Sequence, residues 1–405
     1  MSFDVSAARA QFPILSREIH GKPLIYLDSA ASSQKPKAVI DAMSRAMEYS
    51  YANVHRGLHT LANETTDAYE AARESVRRLL NAGEASEIVF TKGATEGINL
   101  VASSFGLSLK AGDEIVLSEM EHHANILPWH FLRERSGIVL KFIPVTDDGR
   151  LDMDAFRALL GPQTRMVAVG HMSNVTGTVN PVAEIIAAAH VAGALTLIDG
   201  CQAVVHQKVD VRALDADFYV FSSHKLYGPT GIGALYGKAE LLARLPPYQG
   251  GGEMIGTVSL DEITYADPPH RFEAGTPAIL EAIGLGAAIT WLEGLDREAI
   301  TAHEHALYDR VKTGLNGANW LTEIGTAPGK GAIFSFNMAG AHAHDVAQIL
   351  DRYGIAVRAG THCAEPLMRR FGVTSTARAS FGLYNTLAEA DAFVEALTKT
   401  RTFFS

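Results

Sequence analysis

Two short stretches of this chain place polar side chains directly after apolar runs of the kind that form buried strands. In "LTLIDGCQA" the run ends on Asp199, and Gln202 follows three residues later. In "FYVFSSHKLYGPTGIG" the run ends on Ser222, followed by His224, Lys225 and a glycine-rich turn. One helix or loop between the runs would bring Asp199 and Lys225 to the same edge of a sheet, which predicts a carboxylate beside an amine.

A third stretch, "TKGATEGINL", opens a helix near Thr95, where small residues leave backbone N–H groups free to bind an anion. A lysine at a strand end can form a Schiff base with an aldehyde, and a neighbouring carboxylate can pair with a protonated ring nitrogen. With a phosphate site added, these are the demands of pyridoxal 5′-phosphate (PLP). Lys225, Asp199 and Thr95 together therefore indicate that cofactor.

Each of these residues also has an ordinary structural explanation when it is taken alone. Asp199 could cap a helix or pair with a base, Lys225 could be a solvated surface lysine, and Thr95 could be a helix cap. Their order at the ends of successive apolar runs is more specific than any single residue.

The elements that must position these residues alternate between strand and helix from about residue 85 to 240. Predicted strands are 87–91, 114–118, 139–145, 165–173, 195–199, 218–223 and 233–237. Predicted helices between them are 95–106, 124–136, 151–160 and 181–192. Strands that are apolar almost throughout and separated by helices predict an α/β fold, with a mainly parallel sheet covered on both faces.

The chain of 405 residues is longer than one hydrophobic core usually covers, so two domains are expected. A Gly- and Pro-rich stretch, 246–277, divides the alternating pattern from a smaller α+β pattern of helices and strands. We therefore predict a large cofactor-binding domain at 31–277 and a small C-terminal domain at 278–405. The N-terminal segment, 1–30, is expected to pack with the small domain.

The composition indicates which partners and which compartment are expected for this protein. The hydrophobic fraction is 47%, the net charge is −10, and the pI is about 5.9. These values argue against nucleic acid or an anionic membrane as the main partner. Two cysteines fit a reducing compartment, and we find no signal peptide and no membrane-spanning run, so a soluble cytoplasmic protein is expected.

Seven motifs carry a resemblance to a known family that extends over essentially the whole chain. In order, they are "GATEGINL", "EHHANILPW", "HMSNVTGT", "DGCQA", "SSHKLYGPTGIG", "FEAGTP" and "RAGTHCAEP". They resemble the fold-type-I PLP enzymes of the class-V aminotransferase type. More closely, they resemble group II cysteine desulfurases of the SufS and CsdA type, and SufS most of all.

The resemblance implies a role for each cofactor contact. Lys225 would form the Schiff base, Asp199 would keep the pyridinium nitrogen protonated, and Gln202 would hydrogen-bond the phenolic oxygen. His122 would stack on the ring and take part in catalysis, with His123 in support.

Phosphate and substrate contacts are implied in the same way. Thr95, Ser222 and His224 would bind the phosphate, and Thr276 would reach the phosphate of a neighbouring subunit, which requires a homodimer. The remaining implied contacts are Asn174 near the ring and substrate carboxylate, Arg378 as the carboxylate clamp, and Arg358 and His55 lining the cavity near the catalytic Cys363.

The implied reaction converts L-cysteine to L-alanine and leaves the sulfur on Cys363 as a persulfide for iron–sulfur cluster assembly. A SufE-like or SufU-like protein would then accept the sulfur. A selenocysteine lyase acting on L-selenocysteine is the main alternative, because the same cofactor site would serve it. A kynureninase- or epimerase-like enzyme and a non-catalytic scaffold are further alternatives.

Other interpretations of the reactive residues find less support. The histidines of "EHH" and the "HC" pair lack the ligand spacing of a zinc site, so no metal is expected. The run "QGGGEMIG" lacks the ending of a nucleotide-phosphate loop. Cys201 is interpreted as a small packing residue. Thr361 stands where relatives commonly carry histidine or glutamine, so its effect on the loop is left open.

Overall fold

The computed structural model describes residues 3–404 of the chain. The helices are α1 (Val5–Arg9), α2 (Lys37–Tyr49), α3 (Thr60–Leu80), α4 (Ala94–Gly106), α5 (Leu127–Ser136), α6 (Met153–Leu159), α7 (Val182–Val191), α8 (Ala203–His206), α9 (Val211–Leu214), α10 (Ala239–Arg244), α11 (Ile279–Glu293), α12 (Arg297–Gly314), α13 (Ala343–Arg352), α14 (Glu365–Arg370) and α15 (Leu387–Arg401).

The strands alternate with these helices through the middle of the chain. They are β1 (Glu18–Ile19), β2 (Lys22–Pro23), β3 (Ile25–Tyr26), β4 (Ile88–Thr91), β5 (Glu114–Ser118), β6 (Val139–Ile143), β7 (Thr164–Gly170), β8 (Leu195–Asp199), β9 (Phe218–Ser222), β10 (Gly233–Gly237), β11 (Ile255–Val258), β12 (Ile263–Tyr265), β13 (Leu321–Ile324), β14 (Ile333–Met338), β15 (Ile355–Ala356), β16 (Arg358–Gly360) and β17 (Thr376–Ser380).

A seven-stranded sheet in the order β4-β10-β9-β8-β7-β5-β6 forms the centre of the molecule. The pairings among β5, β6, β7, β8 and β9 are parallel, and β10 runs antiparallel to both of its neighbours. This arrangement confirms the predicted α/β fold with a mainly parallel sheet.

Alternate residues of each central strand enter hydrophobic cores on opposite faces of the sheet, as the period of a β-strand requires. In β8, Leu197 packs in the core that contains Trp129 of α5, whereas Ile198 packs in the core that contains Tyr69 of α3. Because both faces are covered, the strands are apolar almost throughout, which is why they could be recognised in the sequence.

A second sheet, in the order β13-β14-β17-β16, is antiparallel and lies in the C-terminal part of the chain. Its core joins Phe334 and Phe336 of β14 to Leu350 of α13 and Phe393 of α15. The ends of two surrounding helices are stabilised locally. Asp296 caps α12, and Thr386 begins the capping box of α15.

The N-terminal residues pair with this C-terminal region, because β3 runs parallel to β15 with Ile25 opposite Ile355. Helix α11, in contrast, packs against α2 and α3 in the core of the large sheet. The helix that follows the predicted boundary at 277 thus lies with the large sheet. The three domain ranges, 1–30, 31–277 and 278–405, stay predictions.

The Gly- and Pro-rich stretch contains an exposed hairpin of β11 and β12. Within residues 3–404, none of the helices has the length and apolar character needed to cross a membrane.

Candidate active site

A cavity of about 260 Å³ opens where the loops after the carboxyl ends of the central strands meet the C-terminal sheet. This edge is where parallel sheets bind their ligands. The sequence-predicted site residues that line it are Thr95, His122, Asn174, Asp199, Gln202, Ser222, His224, Lys225, Arg358, Cys363 and Arg378.

Neighbouring strands β8 and β9 supply the carboxylate and the amine. Asp199 ends β8, and its Oδ1 accepts a hydrogen bond from the N–H of Cys201 at 3.0 Å. Lys225 lies in a short 3-10 turn directly after β9. Gln202 is buried, and its Nε2 donates to the carbonyl of Ala30 at 2.8 Å, so its side chain is fixed at the cavity wall.

The beginning of α4 faces the cavity with its first turn. The side chain of Ser222 accepts the N–H of Ala94 at 2.9 Å, and Thr95 lines the cavity one residue later. Gly93 precedes the helix with φ +150°, and a Cβ there would lie 3.1 Å from Ser222 Oγ. The first N–H groups of a helix lack intrahelical acceptors and attract anions, so this corner suits a phosphate.

Two cavity histidines are held neutral. Burial, followed by the charge of Lys225, lowers the pKa of His122 to about 4. Burial, Lys225 and Lys35 lower the pKa of His224 to about 4. His122 Nδ1 accepts the N–H of Ala124 at 3.1 Å, which fixes the ring orientation and presents an uncharged aromatic face.

Two arginines from paired strands share one carboxylate. Arg358 of β16 lies opposite Arg378 of β17. Arg358 Nη2 lies 3.0 Å from Asp28 Oδ2, and Arg378 Nη2 lies 3.3 Å from Asp28 Oδ1. Burial lowers the pKa of Arg378 to about 10. Among the described residues, Arg378 Nε has no hydrogen-bond partner. This buried guanidinium therefore keeps a donor available for an anionic ligand.

Cys363 lies on a loop between β16 and α14, and its side chain is accessible to solvent. The pKa of Arg358 is raised chiefly by its hydrogen bond to Asp28 and in part by Cys363, so the guanidinium lies within electrostatic reach of the thiol. Cys201 differs, because burial raises the pKa of its thiol to about 12. The reactive thiol is therefore expected at the accessible Cys363 and not at the buried Cys201.

These residues fit PLP on three independent observations. A helix start offers free N–H groups, a carboxylate and a lysine lie on adjacent strand ends, and a neutral aromatic ring borders the same cavity. The orphaned Arg378 Nε adds a place for the carboxylate of an amino acid substrate.

Two predicted site residues lie outside this cavity. Thr276 lines a separate cavity beside Tyr69 and Phe90. His55 was predicted to line the cavity near Cys363. Within one chain it lies outside that cavity, with Nε2 2.9 Å from Glu70 Oε1.

His55 and Glu70 also approach His270, with candidate metal-ligand atoms within 4.8 Å of one another. Arg73 donates to both carboxylate oxygens of Glu70, at 2.8 and 3.3 Å. Because the Arg73 guanidinium already binds the Glu70 carboxylate, its positive charge disfavours a metal ion at this cluster.

Three residues of the site were missed in the sequence. Asp28 ends the short apolar run "LIYLD", a signal that could have been noticed. Glu121 is buried in the cavity wall, where Ser118 and Asn125 donate to it. His362 is also buried there, and burial lowers its pKa to about 3.

Comparisons with known proteins agree with this geometry. The sequence profile of the family "Aminotransferase class-V" matches residues 25–393. A cysteine desulfurase of Dickeya dadantii is 53% identical over 397 residues, covering 98% of this chain and 96% of the relative. A probable cysteine desulfurase of Vibrio cholerae is 49% identical over 400 residues, covering 98% and 99%.

The solved structure of the cysteine desulfurase CsdA from Escherichia coli, in its S-sulfonic acid form, has a TM-score of 0.93 and 41% identity, with 100% of both chains covered. The fold is that of PLP-dependent enzymes of fold type I, and the family implies PLP as the cofactor. The chain therefore belongs to the class-V aminotransferase family and lies among its cysteine desulfurases.

Proposed function

We propose that this protein is a cysteine desulfurase that converts L-cysteine to L-alanine and takes the sulfur onto Cys363 as a persulfide. One observation carries the proposal: an accessible cysteine lines the same cavity as Lys225, Asp199 and the buried guanidinium of Arg378. A lyase that simply released sulfide would not need a thiol at that position.

The cofactor would be held by the residues already described at the strand ends. Lys225 would bind its aldehyde carbon, Asp199 would pair with its ring nitrogen, and the α4 start with Ser222 and His224 would hold its phosphate. Bound there, PLP supplies an electron sink that makes protons on the substrate's α-carbon acidic.

The side chains around the substrate divide the remaining work. Arg378 binds the α-carboxylate through its free donor, and its Nη1 also donates to the backbone carbonyl of Asn174 at 2.7 Å. The Lys225 amine would take the proton from the substrate's α-carbon. His122 would cover the ring with its neutral face and exclude water from it.

Cys363 then performs the sulfur transfer. Its thiolate attacks the substrate sulfur and forms an S–S bond, while the substrate's C–S bond breaks and its electron pair stays on carbon. Protonation of that carbon, together with return of the α-proton from Lys225, completes alanine, and the sulfur remains on Cys363 as a persulfide. Cys363 goes from thiolate to the oxidised partner of an S–S bond, the substrate carbon is reduced, and no external oxidant is needed.

The persulfide would pass to an acceptor protein. The exposed position of Cys363 supports this step, because a second thiol can reach the sulfur from solvent. By family likeness, we propose a SufE-like or SufU-like acceptor, a SufS-type role in iron–sulfur cluster assembly, and a cytoplasmic location.

A homodimer belongs to the same proposal. Thr276 lies outside the cavity of its own chain, in a separate surface cavity, and could complete the phosphate site only from a second copy. His55 could reach a cavity near Cys363 in the same way, since within its own chain it pairs with Glu70.

The variant Cys363→Ala tests the proposed activity, and Cys201→Ala is the matched control. Steady-state alanine release from L-cysteine should fall by at least about 100-fold in Cys363→Ala, because the nucleophile is gone. Cys201→Ala should keep nearly wild-type release. Alanine release that persists in Cys363→Ala would reject the mechanism. Measuring the same variant with L-selenocysteine tests the lyase alternative, in which the cysteine matters less: turnover of both substrates that is unchanged in Cys363→Ala would favour the lyase.

A further inference from the structure

The backbone around Cys363 is strained. His362 has φ +53° and Cys363 has φ +56°, so two consecutive residues with side chains occupy the left-handed region. Each such residue is disfavoured unless its surroundings enforce the conformation. Something outside the loop must therefore hold the nucleophile in place.

Contacts from two sides hold the loop. On the C-terminal sheet, Thr376 Oγ1 lies 2.9 Å from His362 Nε2, and the loop backbone is bound from the large-sheet side of the cavity. Asn174 Nδ2 donates to the carbonyl of His362 at 2.8 Å. The backbone N–H of His123 donates to the carbonyl of Cys363 at 2.7 Å. Both strained residues thus have their carbonyl oxygens bound by loops that follow central strands.

The side chain of His123 binds the same loop a second time. Its Nε2 accepts the N–H of Glu365, the first residue of α14, at 3.1 Å. The residue before that helix is Ala364, which has no side chain able to cap it. His123 therefore supplies the missing cap from another part of the chain, two residues after its backbone contact with Cys363.

We propose that the His123 side chain is a positioning residue for the Cys363 nucleophile, an inference that rests on the proposed function. It holds the strained loop so that the thiolate stays over the substrate sulfur. His123 follows directly after His122, whose ring borders the cofactor site. The same short segment would thereby set both the cofactor ring and the attacking sulfur.

The required ring state follows from the direction of the hydrogen bond. The Glu365 N–H is the donor, so Nε2 of His123 must carry a lone pair, and the ring proton lies on Nδ1. A glutamine could replace this acceptor with its side-chain oxygen, whereas a leucine of similar size could not. This difference separates the hydrogen bond from simple packing.

The experiment compares His123→Leu, His123→Gln and the control His130→Leu with the wild type. His130 lies on α5 beside Phe142 and does not line the cavity. Single-turnover persulfide formation on Cys363 should slow by roughly 100-fold in His123→Leu, the scale expected for a misplaced reactive group. His123→Gln should recover most of the rate, and His130→Leu should match the wild type.

A second measurement does not depend on turnover. Amide hydrogen exchange of residues 361–365 in each holoenzyme should quicken by about tenfold in His123→Leu but not in His123→Gln. Cofactor loading, followed by visible absorbance, should be unchanged in all variants.

Three results would each overturn the positioning role. They are amide exchange of the loop in His123→Leu at the wild-type rate, equal losses of persulfide-formation rate in the Leu and Gln variants, and loss of cofactor in His123→Leu. A wild-type protein that forms no persulfide would instead reject the proposed function, so the two failures are distinguishable.

Discussion

Asp28 is the residue that ties the two arginines of the site together. Its carboxylate is largely buried, with 14% of the side chain exposed, and it accepts from both Arg358 and Arg378. Removing that charge would leave the buried Arg378 guanidinium without its only anionic partner among the described residues. Uncompensated buried charges are among the most destabilising changes in proteins.

We expect Asp28→Asn to lower the free energy of unfolding by about 3 kcal/mol. The matched control is Asp391→Asn, which breaks a solvent-exposed pair with Arg310 and should leave the free energy of unfolding nearly unchanged. Urea titration of both variants measures the difference. Equal, small losses would show that Asp28 does not compensate the buried arginine.

Glu121 predicts a pH dependence of stability. Burial raises the pKa of this carboxyl from 4.5 to about 7 in the folded protein. The folded state therefore holds the proton where the unfolded chain has released it. The stabilising contribution is complete below about pH 4.5 and is lost as the pH rises through about 7.

Wild type should accordingly lose stability relative to Glu121→Gln between about pH 5 and about pH 8, because the amide cannot ionise. Thermal unfolding of both proteins at the two pH values measures this trend. A gain by the wild type over that range would contradict the assigned direction of the pKa shift.

Residues at strand ends could be predicted, whereas contacts between residues far apart in the chain could not. Asp199 and Lys225 were recognisable because each follows an apolar run on a parallel strand. Asp28 lies 330 residues from Arg358, and the ring of His123 lies 242 residues from Glu365. A single sequence contains no local signal for such contacts, because the partners meet only after both sheets have formed.

At the scale of elements, the turn after β8 depends on a close approach to β9. A Cβ added to Gly200 would lie 2.0 Å from Cε1 of Tyr219, a fully buried ring. Neither the strand nor the ring can move easily, since Gly200 N–H donates to Val220 at 2.8 Å. The close packing of Gly200 therefore fixes the backbone positions of Asp199 and Gln202.

Gly200→Ala should lower the free energy of unfolding by about 3 kcal/mol and weaken cofactor binding, because overpacking shifts the strand end. Gly161→Ala is the control, since a Cβ there meets nothing within 4 Å. Urea titration and cofactor absorbance provide the two readouts. An alanine tolerated equally at both positions would refute the proposed close approach.

The buried strands were predicted closely, with 114–118 and 195–199 matching β5 and β8. The prediction of 139–145 was too long, because pairing in β6 stops at Ile143. Helices α2 and α3 were not predicted, although α3 spans Thr60–Leu80. Two-sided burial leaves a clear apolar run, whereas a helix that is apolar on one face only gives a weaker signal.

At the scale of the whole molecule, the site is assembled from two sheets. The central sheet supplies the cofactor contacts, and the C-terminal sheet supplies Arg358, Arg378 and the Cys363 loop. Asp28, beside β3, pairs with both arginines of the C-terminal sheet, and Arg378 Nη1 reaches the loop after β7 by donating to the Asn174 carbonyl. Substrate binding and sulfur attack therefore depend on how the two sheets are held together.

The proposed homodimer predicts a sedimentation mass of twice the 43.5 kDa chain. Exposed apolar side chains of the hairpin, including Leu260 and Ile263, fit burial against a second copy. Analytical ultracentrifugation of the holoenzyme at micromolar concentration measures the mass directly. A monomer under those conditions would remove the proposed role of Thr276.

The cysteine that takes up the substrate's sulfur can be identified by peptide mass spectrometry of the holoenzyme after a brief reaction with L-cysteine. With both cysteines present, one added sulfur atom, about 32 Da, should appear on the peptide that contains Cys363, and none on the peptide that contains Cys201. The accessible loop and the buried, high-pKa thiol predict this distribution. Added sulfur on Cys201, or on neither cysteine while alanine accumulates, would contradict Cys363 as the nucleophile.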